Sequence, residues 1–146
     1  MTMRVHPSRR VLLAIALLLL AVPVALVSLH VFRRANPDVA YQQITGHTLP
    51  PGIRATAYNW AVNDNLFHVA HYWILTGSEA DLRRFATAAE LGESTEDARW
   101  TLPNLDDLFG DHRPRSAVAV GFEGDQARNN WLWIFDGRTE GLYEYN

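Results

Sequence analysis

Residues 54–92 read RATAYNWAVNDNLFHVAHYWILTGSEADLRRFATAAELG, and this stretch decides the fold. Arg54 to Val62 is rich in strand formers, with Tyr58 and Trp60 recurring on one face. Asn63-Asp64-Asn65 is turn chemistry, and Leu66 to Thr76 resumes as a second strand. A period of two puts Phe67, Val69, His71, Trp73 and Leu75 on one face of that strand. His68, Ala70, Tyr72 and Ile74 fall on the other. Together the two runs predict a β-hairpin. A helix follows. Ser78 is a good N-cap, with Asp81 three residues on at the capping-box position. Leu82, Phe85, Ala86 and Ala89 form its apolar stripe, Glu79 and Arg83 make a favourable i,i+4 pair, and Gly92 supplies the stop.

Downstream, Glu93 to Arg115 reads as irregular and acidic, pinned to the core by Trp100, Leu102, Leu105, Leu108 and Phe109. Three further strands are expected at Ala117 to Phe122, Asn130 to Asp136 and Leu142 to Tyr145. Asp136 to Gly141 is a hairpin turn between the last two, and Trp131, Trp133 and Phe135 share a core-facing row. The sum is a ββ-α-βββ order, an α+β domain with a small antiparallel sheet and one packed helix.

Upstream, residues 11–29 read VLLAIALLLLAVPVALVSL, nineteen positions with no charge. A helix of that length covers about 30 Å of hydrocarbon, so 11–32 is expected to be a transmembrane helix. A cleaved signal peptide is the rival. The run is longer than an ordinary signal-peptide apolar core, and it ends in His30-Val31-Phe32-Arg33-Arg34, a stop-transfer pattern. Pro23 is tolerable within such a helix. Residues 1–10 form a basic tail and 33–47 a membrane-exit linker, since Pro37 cannot continue the helix. Thr48-Leu49-Pro50-Pro51-Gly52 then opens a compact acidic domain over 48–146. Three arginines and the α-amine precede the span and two arginines follow it, which favours a cytoplasmic N-terminus and a domain outside. On the helix, Ala14, Ala21, Ala25 and Ser28 share a narrow arc where small side chains let another helix approach.

All 16 carboxylates lie at or after Asp38, and five of the 13 arginines flank the apolar run. The globular part therefore carries eight arginines against 16 carboxylates, a formal −8, and the chain has no lysine. Such a body repels phosphate backbones, so nucleic acid is not an expected partner. Without cysteine, thiolate metal sites, thiol catalysis and disulfides are excluded.

Little in the sequence carries chemistry. His68 and His71 form an H-x-x-H pair beside Asp64, but strand geometry places them on opposite faces and a shared metal is disfavoured. Asp106, Asp107, Asp111 and His112 cluster without calcium-loop spacing and read as a solvated acidic loop. His30 reads as an interfacial side chain rather than a cofactor ligand. No nucleophile elbow, zinc helix or phosphate loop occurs, so no enzyme, cofactor or metal is expected. The layout resembles small anchored extracytoplasmic proteins of bacteria in general form. The expectation is a non-catalytic accessory or assembly subunit of a larger membrane complex, such as an energy-converting one. It would contact the lipid bilayer and other transmembrane subunits, with Asp106, Asp107, Asp111, Trp60 and Trp100 as partner contacts. The alternative is an anchored binding module for a sugar polymer, a peptide or a toxin-like partner.

Overall fold

A computed structural model of the chain describes residues 9–62, 69–94, 102–124 and 130–146. The chain divides into two compact units, Met1–Arg33 and Arg34–Asn146. In the first, helix α1 (Arg9–Ala35) runs through Pro23 without interruption and has no buried residue. It is long and apolar enough to cross a membrane. Ala14, Ala21, Ala25 and Ser28 are all exposed on it.

The second unit is an α+β domain. Strands β1 (Arg54–Val62) and β2 (Val69–Thr76) form the expected hairpin, and helix α3 (Glu79–Ala88) follows it. Ser78 and Asp81 complete the capping box that starts α3, and Leu82, Phe85 and Ala86 are its buried stripe. Arg83 Nε donates to Glu79 Oε1 at 2.9 Å, as the i,i+4 spacing predicts. Helix α4 (Leu105–Phe109) buries Leu105, Leu108 and Phe109, the anchors expected of the acidic stretch. Strands β4 (Val118–Glu123), β5 (Trp131–Phe135) and β6 (Glu140–Tyr145) complete the predicted set.

Three features differ from the sequence reading. A two-residue strand, β3 (Gly92–Glu93), pairs with β4, so the sheet has six strands in the order β1-β2-β6-β5-β4-β3. The expected linker contains a helix of its own, α2 (Pro37–Thr45), with Ala40 and Tyr41 buried. Pro37 ends one helix, but it also occupies the first turn of the next, where its missing N–H costs nothing. Gly46 at φ 76° closes α2 in the left-handed region. Finally, α3 is not stopped at Gly92. The left-handed residue at its end is Glu90, at φ 60°, and Gly92 already belongs to β3.

Every pairing in the sheet is antiparallel, and the last strand of the chain lies in its middle, between β2 and β5. Trp73 on β2 opposes Tyr143 on β6, which opposes Leu132 on β5. Period two sorts the side chains onto two faces, and both are covered. Tyr58, Trp73, Leu75, Leu132, Ile134 and Tyr143 cluster with Ala40 and Tyr41 of α2 and Leu82, Phe85 and Ala86 of α3. Tyr72, Ile74, Trp133, Phe135 and Leu142 cluster with Leu105, Leu108 and Phe109 of α4. Three layers result, with Trp73 and Trp133 fully buried on opposite sides of the sheet.

The two sheet edges are protected in different ways. At β1, Ala55 N–H donates to the Asp38 carboxylate of α2 at 2.7 Å, and Trp60 N–H donates to Asn59 Oδ1 at 2.9 Å. Asn59 Nδ2 also donates to Leu108 O, tying α4 to the same strand. The opposite edge is β3, too short to template another strand.

Candidate functional site

The acidic loop singled out by sequence is built around α4. Asn104 caps that helix by accepting from Asp106 N–H at 3.1 Å, and its amide donates to Asp107 at 2.8 Å. Arg113 grips Asp106 with two nitrogens, at 2.8 and 2.9 Å. Asp106, Asp111, Arg113 and Arg115 then line one depression of about 650 Å³, a surface of mixed sign. Two of the three expected contact carboxylates thus have structural partners, and arginines offset their charge. The third, Asp111, is exposed on the turn Gly110–His112.

Trp60 is 41% exposed on β1. Val62 beside it is 49% exposed, and Val69, its partner across the hairpin, 39%. These three make an apolar corner of the sheet. Trp100, His68 and Asp64 lie outside the described residues. His71 Nδ1 hydrogen-bonds the Tyr58 hydroxyl at 2.9 Å, and the two rings stack at 6.0 Å. That gives this histidine a structural partner within the sheet. Among the described residues no three histidine, aspartate or glutamate side chains gather as metal ligands would.

A second depression, of about 620 Å³, was not visible to sequence reasoning. It lies where the end of α2, the end of α3 and the sheet converge. Tyr41, Phe85 and Tyr143 form its floor, and Tyr145 lies next along β6. The rings interlock rather than stack flat: Phe85 meets Tyr143 edge-to-face at 4.9 Å, and Tyr41 meets Phe85 at 6.1 Å. Around them stand His47 and Thr48 after α2, Glu90 after α3, and Asn130 before β5. Burial raises the Tyr41 phenol above its ordinary value and the neighbouring Tyr145 adds to this, against a hydrogen bond with Thr45. Tyr41 therefore stays neutral, a hydroxyl donor, throughout the physiological range. Glu90 holds its place with φ 60°, a conformation that costs a side-chain-bearing residue of order 1–3 kcal/mol.

One more polar group is enclosed by the sheet. Glu144 is only 8% exposed, between Tyr72 on β2 and Trp131 on β5. Burial raises its carboxyl above the usual carboxylate range, partly offset by hydrogen bonds from Asn146 and Tyr72. The Tyr72 phenol is raised as well, first by burial and then by the adjacent carboxylate. On the opposite face, Trp73 Nε1 is buried with no hydrogen-bond partner among the described residues.

The residues of the second depression come from four separate places in the chain, at no recognisable spacing. The readable signals were Pro37 and Gly46 bounding a helix, and tyrosines at alternate positions of β6. Comparison with known protein families, characterised proteins and solved structures finds no match to this chain. The arrangement is an aromatic floor of Tyr41, Phe85 and Tyr143 with Asn130 and Glu90 at its margin, where Asn130 Oδ1 accepts from Asn146 N–H at 3.0 Å.

Proposed function

We propose that this protein is a non-catalytic, single-pass accessory subunit of a larger membrane complex. It docks through the small-residue face of α1 and through side-chain surfaces of the domain, with the N-terminus in the cytoplasm and the domain outside. The observation that carries this reading is the junction. Helix α1 exposes its whole apolar surface, and one residue, Asn36, separates it from α2, whose Ala40 and Tyr41 belong to the domain core.

The manner of docking follows from the sheet edges. Asp38 and Asn59 occupy backbone donors of β1, and β3 is two residues long. A partner therefore gains little by adding a strand, and contact by side chains is the remaining route. The apolar corner of Trp60, Val62 and Val69 suits it better than the acidic loop, where Arg113 already holds Asp106.

Purification of the full chain in a mild detergent tests the proposal. A stoichiometric partner is expected, and Ala21→Leu with Ala25→Leu should reduce its recovery by about tenfold or more, since helix backbones could no longer approach closely. A mature chain starting between Ser28 and Asn36, or unchanged recovery in the double variant, would sink it. The second reading is an anchored binding module, and the aromatic cleft beside Tyr145 is the observation in its favour.

A further inference from the structure

We infer that the pocket formed by Arg34, β1 and the turn after α4 binds the phosphate of a phospholipid headgroup. The inference rests on the reading of α1 as a membrane anchor and extends it from the hydrocarbon to the headgroup layer.

The pocket is small, about 180 Å³, and is lined by Arg34, Thr56, Ala57, Tyr58, Phe109 and His112. All six belong to the unit that begins at Arg34. Three segments far apart in sequence build it: the last turn of α1, the bulged part of β1, and Phe109 with the short turn Gly110–His112. Small-molecule sites typically enclose ~300–1,000 Å³, so this pocket suits one compact group rather than a ring system.

Charge decides which group. Residues 35–146 carry eight arginines against 16 carboxylates, yet no carboxylate lines this pocket. The side chains of Arg34 and His112 are exposed and form no hydrogen bond or ion pair among the described residues. The other hydrogen-bonding side chains are engaged: Thr56 Oγ1 donates to Ile74 O at 3.3 Å, and the Tyr58 hydroxyl bonds His71 Nδ1 at 2.9 Å. Asp38, beside the same strand, is committed to Ala55 N–H, and Asp111 lines the other depression next to α4. What the pocket offers a ligand is a guanidinium, all donor and no acceptor, and an imidazole that can donate from a ring nitrogen. A guanidinium fork matches a pair of phosphate oxygens through two parallel N–H···O bonds.

Depth decides where the phosphate comes from. Leu29 ends the uncharged run, and Arg34 lies about 7 Å of helix beyond it. The headgroup layer outside the hydrocarbon is roughly 5–8 Å thick. A membrane-spanning α1 therefore carries the Arg34 guanidinium at the level of the lipid phosphates. Ala57 and Phe109 supply apolar wall for the glycerol carbons next to the phosphate. A carboxylate would fit the same guanidinium, but phosphate is the anion that every phospholipid brings to this depth.

The test uses the full-length protein in dodecyl maltoside, a detergent without phosphate. Alkaline extraction of the starting membranes comes first: a chain that is released has no anchor, and the lipid reading falls with it. The probes are dioleoyl phosphatidylglycerol, a galactosyl diacylglycerol of the same chain length, and inorganic phosphate, read by native mass spectrometry and by NMR of the His112 ring. One phosphatidylglycerol per chain is expected to be retained, about tenfold more strongly than the galactolipid. Arg34→Gln and His112→Ala should each weaken that retention by about tenfold. Arg115→Gln, the same charge change at the other depression, should leave it unchanged. His112→Ala leaves α1 untouched, so its effect cannot come from an altered membrane helix. Inorganic phosphate that binds as tightly as the lipid, with the same loss in both variants, would overturn the lipid source and leave a site for the free ion. Equal retention of the two lipids, or retention indifferent to both Arg34→Gln and His112→Ala, would mean lipid held only by the apolar helix and would overturn the site.

Discussion

Tyr41→Ala is the perturbation with the largest expected effect outside the strands. Tyr41 is 6% exposed and reaches from α2 onto the sheet. Its ring lies 5.5 Å from Trp73, 6.1 Å from Phe85 and 6.2 Å from Tyr143. An aromatic side chain of this kind buries roughly 150–250 Å², and aromatic-to-alanine truncations in cores cost about 3–5 kcal/mol. A domain of this size has about 5–15 kcal/mol to lose in total. At roughly 4 °C per kcal/mol, the melting temperature should fall by about 10–20 °C. The effect should also be local before it is global. Helix α2 has nine residues, and a helix that short is unstable without tertiary contacts. Hydrogen exchange over 37–45 should therefore speed up in the variant well below its melting temperature, while Trp133 and its neighbours stay protected. Tyr41→Phe is the control: it keeps the ring and loses only the hydroxyl, for about 1 kcal/mol. A Tyr41→Ala protein within about 0.5 kcal/mol of the parent, with unchanged exchange over 37–45, would refute the placement of α2 in the core.

Glu144 leads to a pH prediction. Its carboxyl is raised by burial, so the folded state holds a proton that the unfolded state has already released. Between the unfolded and folded values stability therefore falls as pH rises, and the penalty is complete above the folded value. Glu144→Gln should stabilise the domain relative to the parent at neutral pH, with the gain shrinking as pH falls through the raised folded value and gone below about pH 4, the ordinary glutamate range; urea titrations across pH check this, and a gain that grows toward low pH would contradict it. At the sheet edge, Asp38→Ala with Asn59→Ala should cost about 2–3 kcal/mol, since two backbone donors and an α4 tether lose their partners. The same variant should self-associate in light scattering through the uncovered β1, and a monomer of parental stability would count against edge protection.

Much of the domain is written locally and was legible in the residues. Alternation in 54–62 and 66–76 marked the first hairpin, described in the structure as Arg54–Val62 and Val69–Thr76, and Ser78 with Asp81 marked the start of α3. The last turn was expected over Asp136 to Gly141; it ends sooner, since Glu140 and Gly141 already pair in β6, and within it Arg138 reaches back to Glu79 at 2.8 Å. These signals need only neighbours within a few positions: a period, a cap, a turn. The apolar run of α1 is of the same kind, since length and the absence of charge suffice to make a helix that can cross a membrane.

The candidate site was legible only in fragments. Proline at 37 carries two meanings, an end to the preceding helix and a start for the next, and only the docking of Tyr41 against Trp73 decides that both apply. Likewise, Gly92 looked like the helix stop because glycine tolerates positive φ. The backbone turned two residues earlier at Glu90, since Leu91 is taken into the core and Gly92 into β3. The acidic loop looked bare because Arg113 is seven positions from Asp106, beyond any local pairing rule. What the sequence by itself determined was therefore which segments are strands and helices and which faces are apolar. Tertiary structure alone decided that β6 enters between β2 and β5, that α2 and α4 cover opposite faces, and that Tyr41, Glu90, Asn130 and Tyr145 share one cleft. The physical reason is that pairing between strands distant in sequence is chosen by the burial of both sheet faces at once, a condition on the whole chain that no short window of residues expresses.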